Sequence, residues 1–154
     1  MRHSLLSAVA ALTLIAAPAF AGQFNSAPTT QNAFSNAFAK HGSASALSLN
    51  NNAIDQSNIK VGGKKWSPVD QTNSAPTHQT ARSDAFAKRG DADATSVNTN
   101  EILQSNGALG GKSIYQRNSA PTTQTAVSKA VSIGGDANAL SANSNAVSQS
   151  NDRE

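Results

Sequence analysis

Three gap-free copies of one 34-residue unit occupy most of this chain, and within each copy the invariant residues fall largely on every second position. The copies open on Asn-Ser-Ala-Pro-Thr at Asn25, Asn73 and Asn118, and close on Gln-Ser-Asn ending at Asn58, Asn106 and Asn151. Eighteen of the 34 positions are identical in all three. After the opening pentapeptide the first copy holds Gln31, Ala33, Ser35 and Ala37, then Gly42, then Ala44, Ala46, Ser48, Asn50 and Asn52. The second holds Gln79, Ala81, Ser83, Ala85, Gly90, Ala92, Ala94, Ser96, Asn98 and Asn100. The third holds Gln124, Ala126, Ser128, Ala130, Gly135, Ala137, Ala139, Ser141, Asn143 and Asn145. Successive side chains of a strand point to opposite faces, so a period of two means that one face meets the same surroundings in every copy. These residues read as a structural ladder.

The parity of the fixed positions switches across Lys40-His41-Gly42, Lys88-Arg89-Gly90 and Ile133-Gly134-Gly135. A glycine at such a switch predicts a turn between two strands, because it tolerates positive φ. Pro28, Pro76 and Pro121 precede the first strand of each unit, where a missing N–H does no harm. A helix competes for the first half of each unit, with Pro28 near its start, Lys40 at its end and Gly42 beyond. Identities two apart would scatter around such a helix, and Val127, Val131 and Ile133 favour extension. Strand is therefore the reading for both halves. Which face is buried stays open: the fixed face of the second strand is small and polar, whereas the variable face carries Leu47 and Leu49, or Val97, or Leu140. Stacking three strand-turn-strand units predicts an all-β chain, a short β-solenoid, following a cleaved signal helix.

Composition fits stacking better than an ordinary core. Leu5 to Ala17 is an apolar run too short to span a bilayer, followed by Ala19-Phe20-Ala21, which predicts a signal peptide over 1–21. The remaining 133 residues contain 20 Leu, Ile, Val and Phe, but 16 Asn and 9 Gln. That apolar share is below what a globular core needs. Amide side chains instead form hydrogen-bonded ladders between identical strands. Repeat segments are assigned to 22–58, 73–106 and 118–151, with linkers at 59–72 and 107–117 and a tail at 152–154. No later segment is apolar enough to cross a membrane. There is no cysteine to cross-link an exported protein, and 11 Lys and Arg against 9 Asp and Glu leave no basic patch for nucleic acid.

The Gly-x-Ala-x-Ala-x-Ser-x-Asn-x-Asn runs from Gly42, Gly90 and Gly135, with Gln56, Gln104 and Gln149 in Gln-Ser-Asn, resemble the repeats of bacterial functional-amyloid subunits of the curlin and Fap types. The invariant Asn-Ser-Ala-Pro-Thr opening lies outside that pattern. The resemblance covers most of the chain beyond the leader. It implies an extracellular fibre subunit of biofilm matrix or adhesion, self-associating, with an outer-membrane exporter and a nucleator subunit as further partners. Independently of any family, a stack of strands ends in unpaired N–H and C=O groups that recruit another copy. The alternative is a monomeric β-solenoid that meets a surface or ligand through regular polar rows.

Catalytic material is sparse, and the chain reads as a non-enzyme without a cofactor. His41 and His78 stand at positions where the other copies have no histidine, and Glu101 is the one glutamate between Gly22 and Arg153. Asp91 and Asp93 could offer oxygens to Ca²⁺, but the other copies carry Ser43 and Ser45, or Asp136 alone. A solvated turn is the better reading. Arg89-Gly90-Asp91 spells an adhesion tripeptide, yet the unit places glycine there in every copy. The linkers carry Lys64, Lys65 and Trp66 in one case and Lys112 and Tyr115 in the other. They read as flexible spacers, with contact to an anionic matrix or carbohydrate as the functional alternative.

Overall fold

The computed structural model describes residues 13–15, 23–61, 69–110 and 114–153. Its strands are β1 (Thr13–Ile15), β2 (Gln23–Ser26), β3 (Thr29–Ala39), β4 (Ala44–Val61), β5 (Val69–Ser74), β6 (Thr77–Ala87), β7 (Ala92–Leu109), β8 (Ile114–Ser119), β9 (Thr122–Ser132) and β10 (Ala137–Arg153). Among the described residues there is no helix, so the first half of each repeat is a strand. The predicted leader lies outside the described residues apart from the backbone of β1. Lys64, Lys65 and Trp66 lie outside them too.

The strands form three parallel sheets, ordered β2-β5-β8, β3-β6-β9 and β1-β4-β7-β10. Every identical position within the strands pairs with its counterpart: Gln31 with Gln79 and then Gln124, Asn50 with Asn98 and then Asn143. The spacing along the chain is 48 residues for the first step and 45 for the second, which is the 34-residue unit plus linkers of 14 and 11. The result is a three-rung solenoid of strand-turn-strand layers. The strands overrun the unit at both ends. β4 continues through Ile59–Val61, and β5 begins at Val69, four residues before Asn73.

Each layer folds back on itself at the glycine turn. φ is positive at Gly42 (93°), Gly90 (123°) and Gly134 (83°), a conformation that side chains with a Cβ resist. In the third copy the positive φ falls at Gly134, one residue early, while Gly135 keeps the stacking position. A Cβ on Gly135 would lie 2.4 Å from the Gly90 carbonyl oxygen, and one on Gly90 2.5 Å from that of Gly42. The column is glycine because backbone sits directly on backbone.

The fixed face is the buried one. Burial alternates along β3, β4, β6 and β7, with Ala, Ser, Asn and Gln inward and the variable residues outward. Phe24, Phe34, Phe38 and Leu47 are all exposed. Small inward side chains let the two arms approach, so Gln31 Nε2 donates to the Asn51 carbonyl across the layer at 2.8 Å. The largest apolar group inside is the Ile54, Ile102 column, packed against Ala27 and Ala75.

Candidate functional site: amide columns and open ends

Parallel in-register pairing puts each inward amide directly over its copy in the next rung, and the amides bond along the axis. Asn50 Nδ2 donates to Asn98 Oδ1 and Asn98 Nδ2 to Asn143 Oδ1, both at 2.9 Å. Asn52 to Asn100 and Asn100 to Asn145 repeat this at 2.7 Å. The glutamines run the other way. Gln79 Nε2 donates back to Gln31 Oε1 at 2.7 Å, Gln124 to Gln79 at 2.8 Å, and Gln149 to Gln104 to Gln56 at 2.8 Å each.

The facing sheets are offset by half a rung. β4 bonds to β3 in its own layer, through Leu47 N donating to Ser35 Oγ, and also to β6 in the next, through Ser48 Oγ donating to the Arg82 carbonyl at 2.6 Å. β7 does the same toward β6 and β9, with Ser83 Oγ on the Thr95 carbonyl and Ser96 Oγ on the Val127 carbonyl. The order along the axis is therefore β3, β4, β6, β7, β9, β10. One consequence is a staircase that crosses between sheets: Asn25 donates to Asn58, Asn58 to Asn73, Asn73 to Asn106, Asn106 to Asn118 and Asn118 to Asn151, all between 2.8 and 3.2 Å. Buried amides in a low-dielectric stack hold their place only when satisfied, and a bonded column satisfies them without water.

The ladder residues predicted from sequence all lie on the inward face, with Gly42, Gly90 and Gly135 at the turns. On its inward face the middle rung is buried throughout. The last is not: all of β10 is exposed, inward positions included. One column was missed. Gln23, Gln71 and Gln116 form a third glutamine ladder, at 2.7 and 2.9 Å, two residues before the repeat opening. The signal was present as Gln-x-Asn-Ser-Ala-Pro-Thr in all three copies. The Asn25 and Asn58 columns were visible as motif ends, but not as partners.

The other candidates sit outside this interior. His41, His78 and Glu101 are exposed, and among the described residues no three His, Cys, Asp or Glu gather as metal ligands. Asp91 Oδ1 accepts from Asp136 N and Asp93 Oδ1 from Asn138 Nδ2, each at 3.0 Å, so both acids bond to the next rung. Arg89 and Asp91 flank the Gly90 turn, and the Arg89 carbonyl accepts from Gly42 N. Tyr115 is exposed on β8.

Three buried side-chain atoms among the described residues have no partner: Thr29 Oγ1, Asn52 Oδ1 and Asp84 Oδ1. The first two lie in the first rung. No family model, curated protein or solved structure matches this chain. Its chemistry has to be read from the stack itself: a polar interior that recognises copies of its own sequence, ending in an open rung.

Proposed function

We propose that this protein is an exported structural subunit that self-assembles into extracellular fibres through its stacked repeats. The observation that carries the reading is the inward face: amide columns that bond along the axis and have no intrinsic terminus, closing on the exposed rung of β8, β9 and β10. An interior of this kind binds one thing well, another rung of the same sequence. The leader pattern over 1–21 supports export, and the resemblance to curlin-type and Fap-type subunits supports a matrix or adhesion role, with an exporter and a nucleator as partners.

The outward columns favour this reading over a monomeric surface-binding module. Phe34 stands over Arg82 and then Val127, and Asn36 over Asp84 and then Lys129, so these outward columns change chemistry at each step, while Phe38 stacks on Phe86 and the Asn51, Thr99 and Ser144 column stays polar. Incubating the purified Gly22–Glu154 protein tests the proposal. The expected result is concentration-dependent, thioflavin-positive fibrils with a cross-β reflection near ~4.8 Å. A folded monomer that persists for days at high concentration in sedimentation runs would refute it.

A further inference from the structure

The two ends of the solenoid are chemically complementary, and the complement is specific to atoms. Asn52 Nδ2 donates to Asn100 Oδ1 at 2.7 Å and to Thr77 Oγ1 at 3.4 Å. One rung on, Asn100 Nδ2 donates to Asn145 Oδ1 at 2.7 Å and to Thr122 Oγ1 at 3.1 Å. The next member is Asn145, whose Nδ2 donates to no described residue. At the opposite end Asn52 Oδ1 and Thr29 Oγ1 are buried and accept nothing, in residues only 1% and 6% exposed. These are the acceptors that Asn145 Nδ2 would meet if the column took one more step.

The same step closes the staircase. Asn151 accepts from Asn106 and Asn118 but donates to no described residue, and Asn25 Oδ1 accepts from none. Gly42 agrees. A Cβ there meets nothing within 4 Å, whereas Gly90 and Gly135 each press on the glycine of the preceding rung. The first-rung edge, which cleavage of the leader would vacate, already takes a parallel strand in this frame. β1 pairs Thr13, Leu14 and Ile15 with Ala53, Ile54 and Asp55. In the β4, β7, β10 ladder those columns end in Ala146, Val147 and Ser148.

We infer that the β8, β9, β10 end of one copy docks on the β2, β3, β4 end of a second copy by continuing the same parallel register, with Asn145 Nδ2 seated on the Asn52 Oδ1 and Thr29 Oγ1 of that second copy. β10 follows β9 by half a rung at one end, and β3 leads β4 by half a rung at the other, so each end keys into its opposite and not into itself. The fibre is polar, with every subunit pointing the same way. This inference rests on the self-assembly reading and specifies its interface.

Asn145→Asp tests it, because either carboxylate oxygen still accepts from Asn100 while both outward donors are lost. The expected result at pH 7 is a folded β-rich monomer whose seeded elongation is slowed about tenfold or more, the loss of two hydrogen bonds. Near pH 3, below the ordinary carboxyl range of about 3.9, the protonated group donates again and elongation recovers. A second variant covers the case in which Asn145→Asp does not fold. Ala53→Cys with Ala146→Cys places thiols two rungs apart within a copy, about twice ~4.8 Å and out of disulfide reach, but one rung apart across the junction. The natural chain has no cysteine to interfere. Oxidised fibres of this variant should denature into a ladder of covalent dimers, trimers and longer chains. Wild-type fibres joined by unchanged elongation of Asn145→Asp at pH 7, or by an absent covalent ladder, would overturn the docking mode and leave the fibre reading standing. No wild-type fibres at all would overturn both.

Discussion

Asn98 is fully buried and both polar atoms of its amide are bonded: Oδ1 accepts from Asn50, and Nδ2 donates to the Thr125 carbonyl at 2.7 Å and to Asn143 Oδ1 at 2.9 Å. Removing it strands partners on both neighbouring rungs, and each stranded buried group costs about 1–3 kcal/mol. Asn98→Ala should therefore lower stability in urea unfolding by about 3 kcal/mol. Thr99→Ala, one residue along on the outward face, should stay within about 0.5 kcal/mol. The glycines divide in the same way. Gly90→Ala forces a Cβ against the Gly42 carbonyl at a φ of 123° and should destabilise by several kcal/mol, on the order of the worst single substitutions. Gly107→Ala, where a Cβ meets nothing within 4 Å and φ is not positive, should be neutral or stabilising by roughly a few tenths of a kcal/mol, the β-propensity gain.

Strands differ in how much of their backbone is satisfied. β7 pairs along its whole length with β4 on one side and β10 on the other, whereas β10 has β7 alone. In the dispersed protein, hydrogen exchange should be slowest for β7 amides and fastest for the β10 amides on the unpaired side, and those β10 amides should gain protection on assembly. The strands and turns were legible in sequence because Gln31, Ala33 and Ser35, then Ala44, Ala46 and Ser48, mark period two and its reset at Gly42. The buried face was not, because hydrophobicity ranks Leu47 and Leu49 above Ser48 and Asn50. In a stack of copies an amide is cheap to bury when its own copy sits above it, so invariance among repeats marked the interior and apolarity did not. The half-rung offset between β4 and β6 had no sequence signal, since it arises from how two sheets interlock. Gln71 lies outside the repeat that opens at Asn73, although β5 begins at Val69.

As a whole the molecule is a stack of three rungs whose two ends differ. Its columns carry a direction, asparagine donors toward β10 and glutamine donors toward β4, and that direction is the same in every rung. The leader pattern over 1–21 predicts an exported form that begins at Gly22, which intact-mass analysis of the extracellular protein checks; a mass that retains residues 1–21 would contradict export by cleavage. The proposed end-to-end docking is tested most directly by the helical rise of assembled fibres. Each subunit contributes three rungs, so image reconstruction of fibres should give one copy for every ~14 Å of axis, three spacings of ~4.8 Å, with all copies pointing one way. A rise of one rung per copy, or neighbours related by a two-fold axis across the fibre, would contradict end-to-end stacking of intact solenoids.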